Sequence, residues 1–480
     1  MLAQQKYLLP RGSPARSLGN ICGRWPGTLA TWNPLATFAY IGAMNYKHVH
    51  LSDGLLYNLL EPELHLGFRA FFRQLHVNNR HGVPANQPVL VACNHPTAFL
   101  DPLLLCLYLD PPIYNMTRGD IFRKPFFRRL MESCNMFPVF RSRDGYHERN
   151  RNDGMFEFCE KKLLHRQAVT IYVEGEHHLE KRVRPVQKGL ARIAFSTYEK
   201  HQLTDLQIIP VGCNYQYGDR PREEAMLNVG WPIFVRDYWA DYQRSPGAAI
   251  TRLGRDLEAA LKQICFHLEG PDDDALAEQL LTLHRSSCAL PMLPVVRFES
   301  PRFAGEKAVL DRLNALPEAD KDDLRGHCTH YFTALQQAGL DDAALLHPNR
   351  ANLGWTLLLA LGALPALAGW LSSLPIRLIT YQVADRRVTK KEFYGSVVLG
   401  LSYIVGLVYY LLWLLISLFT ADPRWIALAL LLPLLGWFSI FYRELGERWL
   451  TARRARQHPQ RAALLALRQN IFATTGPGSA

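Results

Sequence analysis

From Gly54 onward the apolar residues Leu55, Leu56, Leu59, Leu60, Leu64, Phe68, Phe71, Phe72 and Leu75 recur at helical spacing, with Arg69 and Arg73 between them. This pattern predicts an amphipathic helix, kinked at Pro62, that packs on a core or lies in a membrane interface. The period then changes. Val77 starts a strand, and Val89 to Cys93 is an unbroken apolar run that predicts a buried one. The run breaks at Asn94-His95-Pro96, where Pro96 pushes His95 into an extended or turn conformation. Pro102 to Leu109 reads as a helix with Pro102 in its first turn and Asp101 as its cap. Further short runs at Pro111 to Met116, Met136 to Arg141, Gln167 to Val173 and Gln207 to Tyr215 predict strands. Helical patterns over 121–134, 142–166 and 189–200 separate them. Strands alternating with helices predict an α/β domain over 51–265, with a mostly parallel sheet flanked by helices.

Residues 266–350 read as a helical region, with Asp272, Asp273 and Asp274 capping one helix and Pro291 to Pro301 separating two. Beyond it, 351–450 forms a membrane region. The stretches 353–374, 393–419 and 425–442 are long and almost uncharged, as transmembrane helices require. Arg377, Arg386, Arg387, Lys390 and Lys391 precede the second stretch, and Arg443, Arg448, Arg453, Arg454 and Arg456 follow the third. Positive residues mark the cytoplasmic side, so 393–419 and 425–442 cross and return. The stretch 353–374, broken at Pro365, is then a re-entrant or interfacial hairpin that leaves the α/β domain on the cytoplasmic face. A basic tail over 451–480 closes the chain. Repeated Pro and Gly make residues 1–50 a poorly ordered extension, and Met44 reads as the start of the regular sequence.

Charge and cysteine usage narrow the partners. A net charge of +11 and a pI of about 9.2 call for an acidic partner. With three apolar stretches present, that partner is a membrane surface or a phosphorylated substrate rather than nucleic acid. Nine cysteines without a CxxC pattern indicate neither a disulfide framework nor a zinc site, and fit a reducing compartment.

In parallel sheets, sites form beyond the carboxyl ends of the strands. His95, Arg141 and Glu174 each fall at such an end. A carboxylate that hydrogen-bonds one imidazole nitrogen leaves the other free as a general base, so His95 and Asp101 suit proton abstraction from a hydroxyl. The bland alternative is that His95 caps a strand and Asp101 a helix. The neighbouring His177-His178 gives no recurring ligand spacing, so no metal is expected.

Asn94-His95-Pro96-Thr97-Ala98-Phe99-Leu100-Asp101 resembles the first block of the glycerophospholipid acyltransferase family, which includes glycerol-3-phosphate and 1-acylglycerol-3-phosphate acyltransferases. Phe137 to Arg141 resembles the second block, Val173 to His178 the third and Ile209 to Gly212 the fourth, in the same order. The resemblance covers roughly residues 55 to 240. It implies an α/β acyltransferase domain in which His95 is the base and Asp101 its orienter. It also implies that Arg141, Glu174 and Gly175 help bind the acceptor's phosphate. Five residues separate His95 from Asp101, as in a fungal-type subset, where the commoner pattern has four. Tyr172-Val173 stands where the third block usually has Phe-Pro.

A hydroxyl attacking a thioester needs a base, a positive cradle for phosphate and an apolar track for the acyl chain. His95 supplies the first, and Arg141 the second, with Arg182, Arg184 or Lys188 as further candidates unless these form a solvated face. Glu174 is expected to orient a basic side chain or bind a glycerol hydroxyl. The resemblance thus implies a membrane-bound O-acyltransferase of phospholipid biosynthesis. It would move a fatty acyl group from acyl-CoA or acyl carrier protein, as co-substrate, to glycerol 3-phosphate or 1-acylglycerol 3-phosphate, with no cofactor. Alternatives are another lysolipid acceptor, a lipid hydrolase that activates water, and a non-catalytic membrane scaffold of the same fold.

Overall fold

The computed structural model describes residues 55–139, 152–420 and 422–474. The first amphipathic segment is helix α1 (Leu55–Phe71), continuous through Pro62. Among the described residues, nine strands form one sheet. They are β1 (Gln74–Asn78), β2 (Val89–Cys93), β3 (Ile113–Arg118), β4 (Met136–Val139), β5 (Ala168–Tyr172), β6 (Gln207–Tyr215), β7 (Glu224–Val229), β8 (Ile233–Phe234) and β9 (Val296–Phe298). The order is β4-β3-β5-β2-β6-β7-β1-β9, with β8 beside the start of β6. Every pair is parallel except those of β6 with β7 and with β8. Strands β2 and β6 are buried at every position and lie at the centre, covered on both faces.

Alternate residues of β2 serve two cores. Val89, Val91 and Cys93 pack with α1 and α2 (Leu100–Tyr108) on one face. Leu90 and Ala92 pack with α3 (Asn152–Leu164), α4 (Gly189–His201) and α5 (Pro246–Ile264) on the other. The sequence begins the helix of α3 at 142, but residues 140–151, Arg141 among them, lie outside the described residues. The sheet also runs past the predicted limit at 265, because three residues of the helical region form the edge strand β9. Asp273 does stand at a helix N-terminus, but its carboxylate accepts from Lys321 and Arg325 instead of capping. The described part of the basic tail is largely helical. Its helix (Arg461–Thr474) buries Leu464 and Ile471 in the core of the helical region and pairs Arg468 with Asp342.

Among the described residues three helices are long and apolar enough to cross a membrane: α6 (Leu353–Ser372), α8 (Lys391–Thr420) and α9 (Pro423–Gln457), with α7 (Leu374–Arg387) between the first two. The stretch 353–374 is not a hairpin broken at Pro365, as the charges predict, but a single helix, and it forms a hairpin with α7 instead. Helix α6 runs through that proline, and the chain reverses at Ser373, where Pro375 opens α7. The register is antiparallel on both sides. Leu359 accepts from the Tyr442 hydroxyl and Gly369 abuts Leu435, so α6 descends along α9. Ile376 faces Gly406, and Asp385 accepts from the Tyr394 hydroxyl, so α7 climbs back along α8. The turn lies beside Gly436, 13 residues from the start of α9 (436 − 423), or about 20 Å at 1.5 Å per residue.

Close backbone approach holds this hairpin. A Cβ on Gly369 would lie 1.9 Å from the Leu435 carbonyl oxygen, whereas one on Gly400 would meet nothing within 4 Å. Gly369→Ala should therefore lose about 1–3 kcal/mol despite its better helix propensity, and Gly400→Ala should be neutral or gain up to about 1 kcal/mol. Thermal unfolding of the two variants in the same detergent checks this. Equal midpoints would show that α6 and α9 do not meet through Gly369.

Candidate active site

The loop after β2 is tied to β6 by one side chain. Asn94 donates through Nδ2 to the Cys213 carbonyl at 2.9 Å and accepts from the Cys213 amide at 2.8 Å, which imitates a further rung of backbone pairing. His95 then projects at the carboxyl edge of the sheet. Its Nδ1 lies 2.7 Å from Asp101 Oδ2. Asp101 is not the cap of α2, as the sequence suggests, but its second residue, with Phe99 at the cap position.

The Asp101 carboxylate is fully buried and surrounded by donors. Oδ2 also accepts from the Thr97 amide at 2.9 Å, and Oδ1 accepts from the hydroxyls of Thr97 and Tyr215, each at 2.7 Å. Asp101 acts as acceptor to every one of these donors, so His95 Nδ1 serves as one more donor and Nε2 is left as the free base. Burial pushes the Tyr215 hydroxyl well above its usual range, which keeps it a donor. The His95 ring stacks on Tyr172 with centroids 3.8 Å apart, and His177 meets it edge-on at 4.0 Å.

Glu174 follows β5 and is also buried. Its two oxygens accept from backbone amides, Oε2 from His95 at 3.2 Å and Oε1 from Arg184 at 3.0 Å. Burial raises its pKa, against the pull of these two bonds. The carboxylate thus joins the ends of β2 and β5 to the following loop. The next residue, Gly175, turns the chain at φ +77°, with its amide on the Tyr172 carbonyl. Of the basic candidates, Arg182 is spent on the carbonyls of Leu268 and Gly270, Arg184 reaches Glu180, and Lys188 is exposed. Among the described residues no group of three or more His, Cys, Asp or Glu side chains is arranged to hold a metal ion.

Two contributions escape the sequence. Tyr215 follows from strand register: Cys93, the last residue of β2, pairs with Val211, and β6 runs four residues further to Tyr215, whose hydroxyl reaches Asp101. The other comes from α8. Ser396 accepts the Phe99 amide at 2.9 Å, Gly395 abuts the Gly218 carbonyl, and Phe393 packs edge-on against His177 at 5.2 Å. The start of an apolar helix therefore covers the dyad, and His95 is only 7% exposed.

Comparison with known proteins bears on residues 74–214, which match a family model described as Acyltransferase. Glycerol-3-phosphate O-acyltransferase 1 of Saccharomyces cerevisiae is 31% identical over 73 residues, 15% of this chain and 10% of that protein. Glycerol-3-phosphate O-acyltransferase 2 of the same organism is 25% identical over 132 residues, 27% of this chain and 18% of its own length. The chain thus matches less than a fifth of the length of either relative. The crystal structure of the 1-acyl-sn-glycerophosphate acyltransferase PlsC from Thermotoga maritima aligns over 47% of this chain and 90% of its own, at 14% identity and a TM-score of 0.30.

Glu174 gives a signed pH dependence. A buried carboxyl with a raised pKa contributes stability that is complete below its unfolded pKa and is lost as pH rises through the folded value. Glu174→Gln does not titrate. The stability of the wild type relative to this variant should fall as pH rises above about 4.3, the ordinary glutamate value. Denaturant unfolding of both across that window measures it, and a constant difference would mean that Glu174 titrates normally.

Proposed function

Starting from the membership of residues 74–214 in the glycerophospholipid acyltransferase family, we propose that this protein is a membrane-bound O-acyltransferase. In this reading it carries a fatty acyl group from acyl-CoA or acyl carrier protein to a hydroxyl of glycerol 3-phosphate or 1-acylglycerol 3-phosphate. The observation that carries the chemistry is the geometry of His95. Its Nδ1 is engaged by a saturated carboxylate, which leaves Nε2 to take a proton.

His95 Nε2 removes the proton of the acceptor hydroxyl as its oxygen attacks the thioester carbonyl. Asp101 stabilises the imidazolium that forms. When the tetrahedral intermediate collapses, the C–S bond breaks and the imidazolium returns the proton to the departing thiolate. Direct transfer is supported by the thiols nearby. Cys93 and Cys213 are fully buried, and burial raises both pKa values, so neither is a poised nucleophile. The cover of Tyr172, His177 and Phe393 keeps the dyad from bulk water, which favours transfer over hydrolysis. Arg141 retains the phosphate role implied by the family resemblance, together with Glu174 and Gly175 at the end of β5.

His95→Ala should cut acyl transfer by about 10²–10⁴-fold while the protein stays folded in the membrane, and Asp101→Asn should also impair it. Turnover of a panel of phosphorylated glycerols and lysolipids, at matched protein level, tests this. Near-normal rates in His95→Ala would end the mechanism.

The active site in this proposal rests on the cytoplasmic leaflet, where acyl thioesters are made. Single cysteines at Glu199, Gln382 and Gln457 should then react with an impermeant thiol reagent from the cytoplasmic side, and one at Arg424 from the opposite side, in a background lacking the native thiols. Labelling of Glu199 and Gln382 from opposite sides would show that α6 crosses completely.

A further inference from the structure

The segment that joins the hairpin to α8 does more than cover the dyad. A cavity of about 280 Å³ lies between the turn after β6, with Asp219 and Arg220, and the connection Val388 to Lys391, with Tyr394 beside it. That is far more than one water occupies, about 30 Å³ in the liquid. Three of the lining residues are cations, Arg220, Lys390 and Lys391, against the single carboxylate of Asp219, 3.9 Å from Arg220. Asp385 accepts from the Tyr394 hydroxyl. Among the described residues no carboxylate pairs with Lys390 or Lys391. The lining therefore carries a surplus of positive charge.

It also adjoins the reacting centre. Gly218, next to Asp219, lies against Thr97 on one side and against Gly395 on the other. Phe393, next to Tyr394, touches His177, which touches His95. One wall of the cavity thus continues a residue that packs on the dyad's own loop, and the other continues one that reaches His95 through His177. In the sheet it stands by β6, on the opposite side of β2 from β5, β3 and β4.

We propose that this cavity is a phosphate subsite of the active site, built by Arg220, Lys390 and Lys391, and that the membrane region therefore completes substrate binding. The proposal rests on the acyl-transfer reading, in which both substrates carry phosphate: the donor in its nucleotide or phosphopantetheine handle, the acceptor in its glycerol phosphate. Lys390 and Lys391 are both exposed, so they can be replaced without unfolding the chain.

The test is the full-length protein in neutral detergent, with Lys390→Gln and Lys391→Gln combined. Arg386→Gln with Arg387→Gln is the control, removing equal charge from exposed residues outside the cavity. The lysine variant should raise the apparent KM of one substrate by about fivefold or more, with kcat within twofold, since a charge-assisted contact to phosphate is kept from ground state to transition state. A shift for acyl-CoA identifies the donor's phosphates, and a shift for glycerol 3-phosphate identifies the acceptor's. Amine-reactive footprinting of the wild type reads the site without turnover: coenzyme A or glycerol 3-phosphate should protect Lys390 and Lys391 from acylation. Protection in a protein that transfers no acyl group would leave the subsite standing and remove the proposed reaction. Two results overturn the subsite: unchanged KM values without protection by either compound, or the same KM shift in the arginine control.

Discussion

A buried carboxylate must be compensated from within the protein, and Asp101 is the point on which the rest of this site depends. Left without donors, an ion in such a place costs several kcal/mol, so the charge survives only if each partner arrives in position. Its partners come from distant parts of the chain: His95 and Thr97 from the loop after β2, and Tyr215 from the end of β6, 114 residues away. For them to meet, β2 and β6 must pair in register, with β6 running four residues beyond the end of β2, and Asn94 extends their pairing past the last true rung. The parallel sheet is therefore more than a platform. It is the device that gathers the donors of a buried aspartate beneath the histidine.

The same loop is braced from the other side by apolar helices, so the α/β domain and the membrane region are one packed body here. Ala384, Val398 and Leu399 belong to the core that contains α1 and α2. Arg222 adds a polar tie. It pairs with Glu444 of α9 through two hydrogen bonds and donates to the carbonyls of Arg69, Ala70 and Phe72 at the end of α1. A cation at a helix C-terminus satisfies carbonyls that have no partner in the helix, so one side chain closes α1 and anchors α9.

What the sequence made legible was local. The His95–Asp101 pair is six residues apart, with Pro96 to signal the turn, and the alternation of apolar runs announced the parallel sheet. Tyr215 was illegible because its role depends on register between β2 and β6 rather than on any nearby pattern. Strand β9 has three residues, too few to show a period, and its pairing with β1 is set by the tertiary fold. The charges suggested a hairpin within 353–374, whereas that stretch is one helix and the turn falls after it. Pro365 lies within an apolar helix that tolerates it, whereas Ser373-Leu374-Pro375 places a proline at the first turn of a new helix, a start signal overlooked among hydrophobic residues. The basic tail was read from its charge alone, although Leu464 and Ile471 give it an apolar side that docks.

The hairpin divides α9 into two environments. Beyond Gly436 α6 covers it, whereas its first 20 Å or so, from Pro423, lies past the turn at Ser373. Leu430, Leu431 and Leu434 are exposed there. That end of α9 therefore offers an apolar surface that α6 does not reach.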